Sequence, residues 1–415
     1  MAVPLWHKLV FLMLIFLMFS GIWRALGRLQ SVQKALHKFP VPVLLQWYTI
    51  CFVAFGAFLM ECLGNIVLFD YRDAQFLDPQ DIEDLWDEKN ITQDLRDDFH
   101  LPGWLRWLSL ASPMVGAVAF MILIAHAILN VTHGSRWRKE NGTEEEKTLN
   151  WKTSERQELV LLVISMPAVF IIMSIRSTER MWMVMRGWHI GPEKATDLAL
   201  FDENLELAAV CQYYTVFVFS QICVSLLQEQ KGSNDMKKAI KYVGFQGVYA
   251  WCIIGSIHSI LLFVIAFSGH HIDKNDAQQV ALLAKGEAAQ KTVGLIASVL
   301  SLLCTYNMLV VCKLPYMKSA LGNASMKFNG TKILLLLGPN QLKILLSLTT
   351  DAATVGPKKQ LASFLNLSTE RAMLLHSSLL SFECLAVVIL NYVSWRGNAE
   401  QIHMYGDHYA KLEDQ

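Results

Sequence analysis

Nine stretches of this chain are long and apolar enough to cross a lipid bilayer: 5–23, 43–69, 105–130, 158–176, 205–227, 246–268, 292–312, 331–349 and 372–393. A hydrocarbon core about 30 Å thick takes roughly 20 residues of helix, and only a helix or a closed barrel satisfies its own backbone hydrogen bonds there. Barrel strands would alternate polar and apolar residues, which these runs do not. The expected fold is all-α, a polytopic membrane helical bundle in contact with the lipid bilayer. Composition agrees: 53% of the residues are hydrophobic and 17% are charged, against about 25% charged in soluble domains.

The 36 basic and 36 acidic residues cancel, so the overall charge does not favour a nucleic-acid partner. Their placement is more informative. Arg24, Arg28, Lys34 and Lys38 follow the first run with no acid between them. That pattern reads as a cytosolic loop after a retained helix; a cleaved signal peptide would carry its positive end first. Alternation then puts 131–157, 228–245, 313–330 and the tail on the cytosolic side, and 70–104, 177–204, 269–291 and 350–371 on the far side. Lys+Arg counts are 4, 6, 4, 3 and 2 for the cytosolic segments and 3 for each far-side one, the sign the positive-inside rule requires. The sequons at Asn90 and Asn366 fall on the far side, making both glycosylation candidates.

All eight cysteines lie within or at the rim of apolar runs with no CxxC spacing, a pattern of packing residues rather than of a disulfide framework or a zinc site. His270-His271 is the only adjacent histidine pair, and there is no HExxH, GxSxG or phosphate-binding glycine loop. The expectation is a protein that is not an enzyme and needs no cofactor.

Charged side chains at mid-membrane usually face a bundle interior or an aqueous cavity, so each is a functional candidate. In TKILLLLGPNQLKILLSL, Lys332, Leu336, Asn340, Lys343 and Ser347 share one helical face, with Gly338-Pro339 in mid-run. Proline lacks the donor a helix needs and clashes with the preceding turn, so a kink or unwinding is expected near 335–340. Such broken helices build solute sites in transporters; the alternative is a packing kink whose two lysines snorkel to opposite surfaces. In RAMLLHSSLLSFECLAVVILNYVSW, the residues His376, Leu380, Glu383, Val387 and Asn391 share a face. Glu383 is too deep to snorkel, and is neutral or paired with a lysine or histidine. It serves either a structural hydrogen bond or a solute or proton. Glu61, His126 and His258 stand alone in their spans, and Ser165-Met166-Pro167 marks a second proline kink.

With these residues laid out, 105–395 resembles the organic solute transporter subunit alpha and transmembrane protein 184 family. SERQELVLLVISMPAVFIIMSIRS is similar to the family's second helix, and AAVCQYYTVFVFSQICVSLL to its third, with Cys211 in place of the family's cysteine. KLPYMKSALGNASMKFNGTKILLLLGPNQLKILLSL keeps the family's Lys-Phe, Lys332 and Gln341, and Glu383 stands at the position of its final-helix glutamate. Ala209, Val210, Gln212 and Tyr213 depart from the family's charged cluster, and Pro339-Asn340 replaces its aromatic pair.

The hydropathy count adds an extension, 1–104, with two further helices, and alternation a short cytosolic tail, 396–415; the resemblance implies a seven-helix core over 105–395. It also implies facilitative transport of amphipathic, anionic organic solutes, with a single-span partner subunit or a homo-oligomer as the working form. The expected solute site is Lys332, Gly338, Pro339, Asn340, Gln341, Lys343, His376 and Glu383, with Glu383 balancing the lysines from the facing helix. A plasma membrane or an endomembrane would suit such a protein. The rival reading is a seven-helix receptor or scaffold that moves no solute, although the chain has no NPxxY or Asp-Arg-Tyr motif.

Overall fold

Each of the last seven apolar runs is helical in a computed structural model, which describes residues 54–66, 101–141, 155–185, 192–229, 245–271, 277–349 and 367–395. In chain order the helices are α1 (Ala54–Ile66), α2 (Gly103–Asn141), α3 (Glu155–Ser165), α4 (Pro167–Met185), α5 (Pro192–Glu229), α6 (Phe245–His271), α7 (Ala277–Lys313), α8 (Pro315–Leu321), α9 (Ala324–Ser347) and α10 (Thr369–Trp395). Among the described residues there is no strand. The run at 5–23 and both sequon asparagines, Asn90 and Asn366, lie outside them.

Among the described residues, six helices are long and apolar enough to cross a membrane: α2, α3 with α4, α5, α6, α7 and α10. The protein is thus an integral, multi-pass helical membrane protein. The 331–349 run, expected as a span of its own, lies within α9 but is not one of the six, because Lys332, Asn340, Gln341 and Lys343 dilute its apolar residues.

Local chemistry accounts for the breaks. Pro167 has no N–H to continue the helix, so α3 ends at Ser165 and α4 starts afresh, as the sequence foretold. Ser165 Oγ turns back to the Leu161 carbonyl at 2.6 Å. The short α8 opens on Pro315 and stops at Gly322, whose φ of 61° and ψ of −113° suit only a glycine.

The expected break at Gly338-Pro339 takes a different form: α9 is helical without interruption from Ala324 to Ser347. Proline removes one hydrogen bond from the ladder, and the turns on either side carry the helix past it.

α10 packs on α2, α4 and α9, while α5 packs on α3, α4, α6 and α9. α9 is therefore wedged between two groups of helices. One apolar cluster joins α3, α5, α6, α7 and α9 around Phe219, Trp251, Met308 and Phe328. A second joins α1, α2, α4 and α10 around Phe120, Ile171 and Leu380, with Phe55 stacked on Phe120 at 3.8 Å. The described part of the N-terminal extension is thus packed into the same bundle. α6 and α7 turn Ile253, Ile260, Leu295, Val299, Leu302 and Tyr306 outward. In a bilayer those side chains face acyl chains, a solvent as apolar as they are.

Candidate functional site

Polar side chains gather at three places in the bundle, and α9 supplies two of them. Near its start, Lys332 is buried with its ammonium over the Trp251 ring, 4.6 Å from the centroid. Nζ donates to the Ser301 carbonyl at 2.8 Å and to the Thr305 hydroxyl, both on α7. Its partners are neutral: the buried amine is held by a carbonyl, a hydroxyl and an aromatic face. One turn earlier, Lys327 is treated alike: Nζ meets the Leu321 carbonyl at 2.5 Å and lies 4.5 Å from the Trp395 ring centroid.

The second place lies two and a half turns further along α9. Gln341 Nε2 donates to Glu383 Oε1 at 2.7 Å, and Gln341 Oε1 accepts from His376 Nδ1 at 2.7 Å. His376 is buried, and Phe201 of α5 meets its ring at an edge, 6.3 Å between centroids. The shared face read for His376 and Glu383 is borne out, since one glutamine engages both.

Lys332 and Glu383 do not face each other. At about 100° per residue, the nine residues from Lys332 to Gln341 amount to half a turn beyond two full ones. Lys332 thus turns to α6 and α7, and Gln341 to α10. The expectation that Glu383 balances the lysines across facing helices is corrected by this phase: its partner is the amide of Gln341. Lys343 and Asn340 are exposed, and Gly338 is buried with open space beside it. Lys343 acts electrostatically on His258 of α6 rather than on Glu383.

The third place was not foreseen. Glu179 of α4, buried to 1% exposure, pairs with Arg176 and accepts from Asn65 Nδ2 at 2.6 Å and Cys62 Sγ at 3.1 Å, both on α1. The expected span ended at residue 176, which left Glu179 in a loop. The apolar stretch Met181–Met185 beyond it was the signal that the helix continues, and α4 runs to Met185. Arg180, Lys327 and Arg371, counted above as loop charges, are buried in helices as well. Removing one base from each of three segments leaves the sign of the charge bias as it was.

Hydroxyls link α4 to α10 between these places: Ser174 with Ser381 at 2.8 Å, and Thr178 donating to Ser377 at 3.1 Å. Close backbone approach lets α9 reach its neighbours. Gln212 of α5 donates to the Thr331 carbonyl at 2.7 Å, and a side chain at Gly330 would collide with Asn391 of α10. His126 of α2 is edge-on to Tyr392 at 5.2 Å, a packing role.

Fold and polar interior together define a multi-pass α-helical membrane protein with buried ionisable groups on either side of one central helix. No family model, curated protein or solved structure matches the chain.

Proposed function

We propose that the protein is a facilitative carrier of amphipathic organic anions, a divergent relative of the organic solute transporter alpha family. The observation that carries this reading is Lys332, a buried ammonium whose partners among the described residues are all neutral. A buried charge normally has a counter-ion, and an anionic head group would supply one. The exposed Lys343 would draw the same head group toward the bundle, and α9 would present one polar station to each side. The reading takes the chain as non-enzymatic, with a single-span subunit or a second copy as its partner. It also takes the acidic 70–104 segment as lying across the membrane from the cytosol, so that Asn90 carries a glycan.

The test is uptake of a labelled steroid sulfate into proteoliposomes by wild type, Lys332→Ala and Glu383→Gln. Both variants are expected to lose most of the flux while eluting as the wild type does. Unchanged flux in both would sink the assignment of these residues. A wild type that moves no anionic or neutral amphiphile, yet holds a stable cytosolic partner, would establish a receptor or scaffold instead.

A further inference from the structure

Gln341 has one donating and one accepting end, and it bridges a carboxylate and an imidazole at 2.7 Å on each side. An ionised carboxylate only accepts, and so does an amide oxygen. The arrangement fits an ionised Glu383, with no hydrogen on Oε1, and puts the imidazole hydrogen on Nδ1 of His376. The two outer atoms of the chain, Glu383 Oε2 and His376 Nε2, are buried and have no hydrogen-bond partner among the described residues. Turning the amide over gives a second arrangement that is equally complete but needs different protons. Its oxygen would then face Glu383 and require a carboxyl O–H, while its NH2 would face Nδ1 and require a lone pair there.

We propose that Glu383, Gln341 and His376 form a proton-binding switch in which protonation of Glu383 turns the Gln341 amide over. One proton from water forms an O–H bond on Glu383 Oε1. That O–H donates to the reversed Gln341 carbonyl, whose NH2 now donates to His376 Nδ1. The imidazole loses its hydrogen at Nδ1 and gains one at Nε2, so it is neutral before and after. The net uptake is one proton, and Nε2 changes from acceptor to donor.

Among the described residues, several charged and titratable groups on the surrounding helices have neighbours of their own. On α9, Lys332 is held by α7 and Lys343 acts on His258 of α6. On α4, Glu179 is bound by Arg176 and by α1. On α5, Glu206 acts on Tyr213, while Phe201 is the neighbour of His376. On α2, His126 abuts Tyr392. Cys384 of α10 is buried beside Glu383, and Arg371 is buried more than one turn before His376. The geometry leaves Gln341 as the group that senses the charge on Glu383. The switch stands on its own hydrogen bonds; only its use in moving solute rests on the carrier reading.

The experiment is pH-difference infrared spectroscopy on the reconstituted full chain with 13C-labelled glutamine side chains. As pH falls, a neutral-carboxyl C=O band should rise, and a glutamine amide C=O band should shift with the same midpoint. E383Q should lose the amide change and the part of the carboxyl rise that shares its midpoint, and Q341L should lose the amide change while that carboxyl component moves to a displaced midpoint. A carboxyl rise in E383Q identical in size and midpoint to wild type, or an amide band that stays fixed while the Glu383 component titrates, overturns the proposal. If E383Q does not fold, E383D serves: a midpoint identical to wild type there would equally overturn it. Flux measured in the same liposomes separates the two readings. Titration without flux supports the switch and removes the carrier, whereas flux without a titrating carboxyl removes the switch and leaves the carrier.

Discussion

Lys332 and Gln341 stand on opposite sides of α9, so the helix offers an ammonium to α6 and α7 and an amide to α10. A substitution on one side should leave the other intact. Lys332→Met removes a cation whose partners are neutral, so no buried carboxylate is orphaned. The loss is confined to one cation–π contact and the hydrogen bonds, about 1–3 kcal/mol in total. Thermal unfolding in detergent should fall modestly, while the infrared signature of Gln341 is unchanged. A collapse of folding would show that Lys332 has an acidic partner.

Glu179 and Arg176 should behave in the opposite way. Each is the other's charge partner inside the bundle, and Glu179 also receives Asn65 and Cys62. Removing one member of a buried pair strands the other, at a cost of about 3–5 kcal/mol. Glu179→Leu is therefore expected to lower the unfolding midpoint sharply. The double variant Arg176→Met with Glu179→Leu should recover much of that loss, as a double-mutant cycle would measure. Additive losses would refute the pairing.

Gly330 lies so close to Asn391 that a Cβ there would overlap the amide oxygen. Gly330→Ala must push α9 from α10 or shift Asn391, at about 1–3 kcal/mol. Asn391→Ala in the same chain should restore the unfolding midpoint to near that of the single Asn391→Ala variant. If Gly330→Ala alone is silent, the two helices are not in contact at this point.

Hydropathy made the helices legible, and the Met166-Pro167 break was legible from proline chemistry alone. Periodicity also put His376 and Glu383 on one face. What it could not supply is which neighbour each face meets. The stripe Lys332, Asn340 and Lys343 is a property of α9, whereas pairing Glu383 with Gln341 depends on how α9 is rotated against α10. Gln341 lies half a turn away from that stripe, so the most connected residue of the site was the one outside its periodic pattern. The Glu179 cluster was hidden for another reason. Three charged residues within five, Arg176, Glu179 and Arg180, look like the end of a span unless the apolar residues after them are counted.

Lys327 makes the last test, because its role can be separated from membrane chemistry altogether. The short α8 ends at Leu321, and Gly322 reverses the chain with a φ of 61°. Nζ of Lys327 meets the Leu321 carbonyl at 2.5 Å and rests over Trp395 at the end of α10. One side chain thus ties the α8–α9 corner to the last helix. Lys327→Met keeps the length and apolar stem but removes the Nζ bond to the Leu321 carbonyl and the ring contact, a loss of about 1–3 kcal/mol. Trp395→Leu should cost at least as much although the carbonyl bond survives, because it empties part of a site in which the indole is buried and edge-on to Phe219. Gly322→Ala should also destabilise, through backbone strain of about 1–3 kcal/mol. All three are expected to lower the unfolding midpoint without changing the infrared titration of Glu383. A change in that titration would mean that the corner and the Gln341 bridge are coupled through α10.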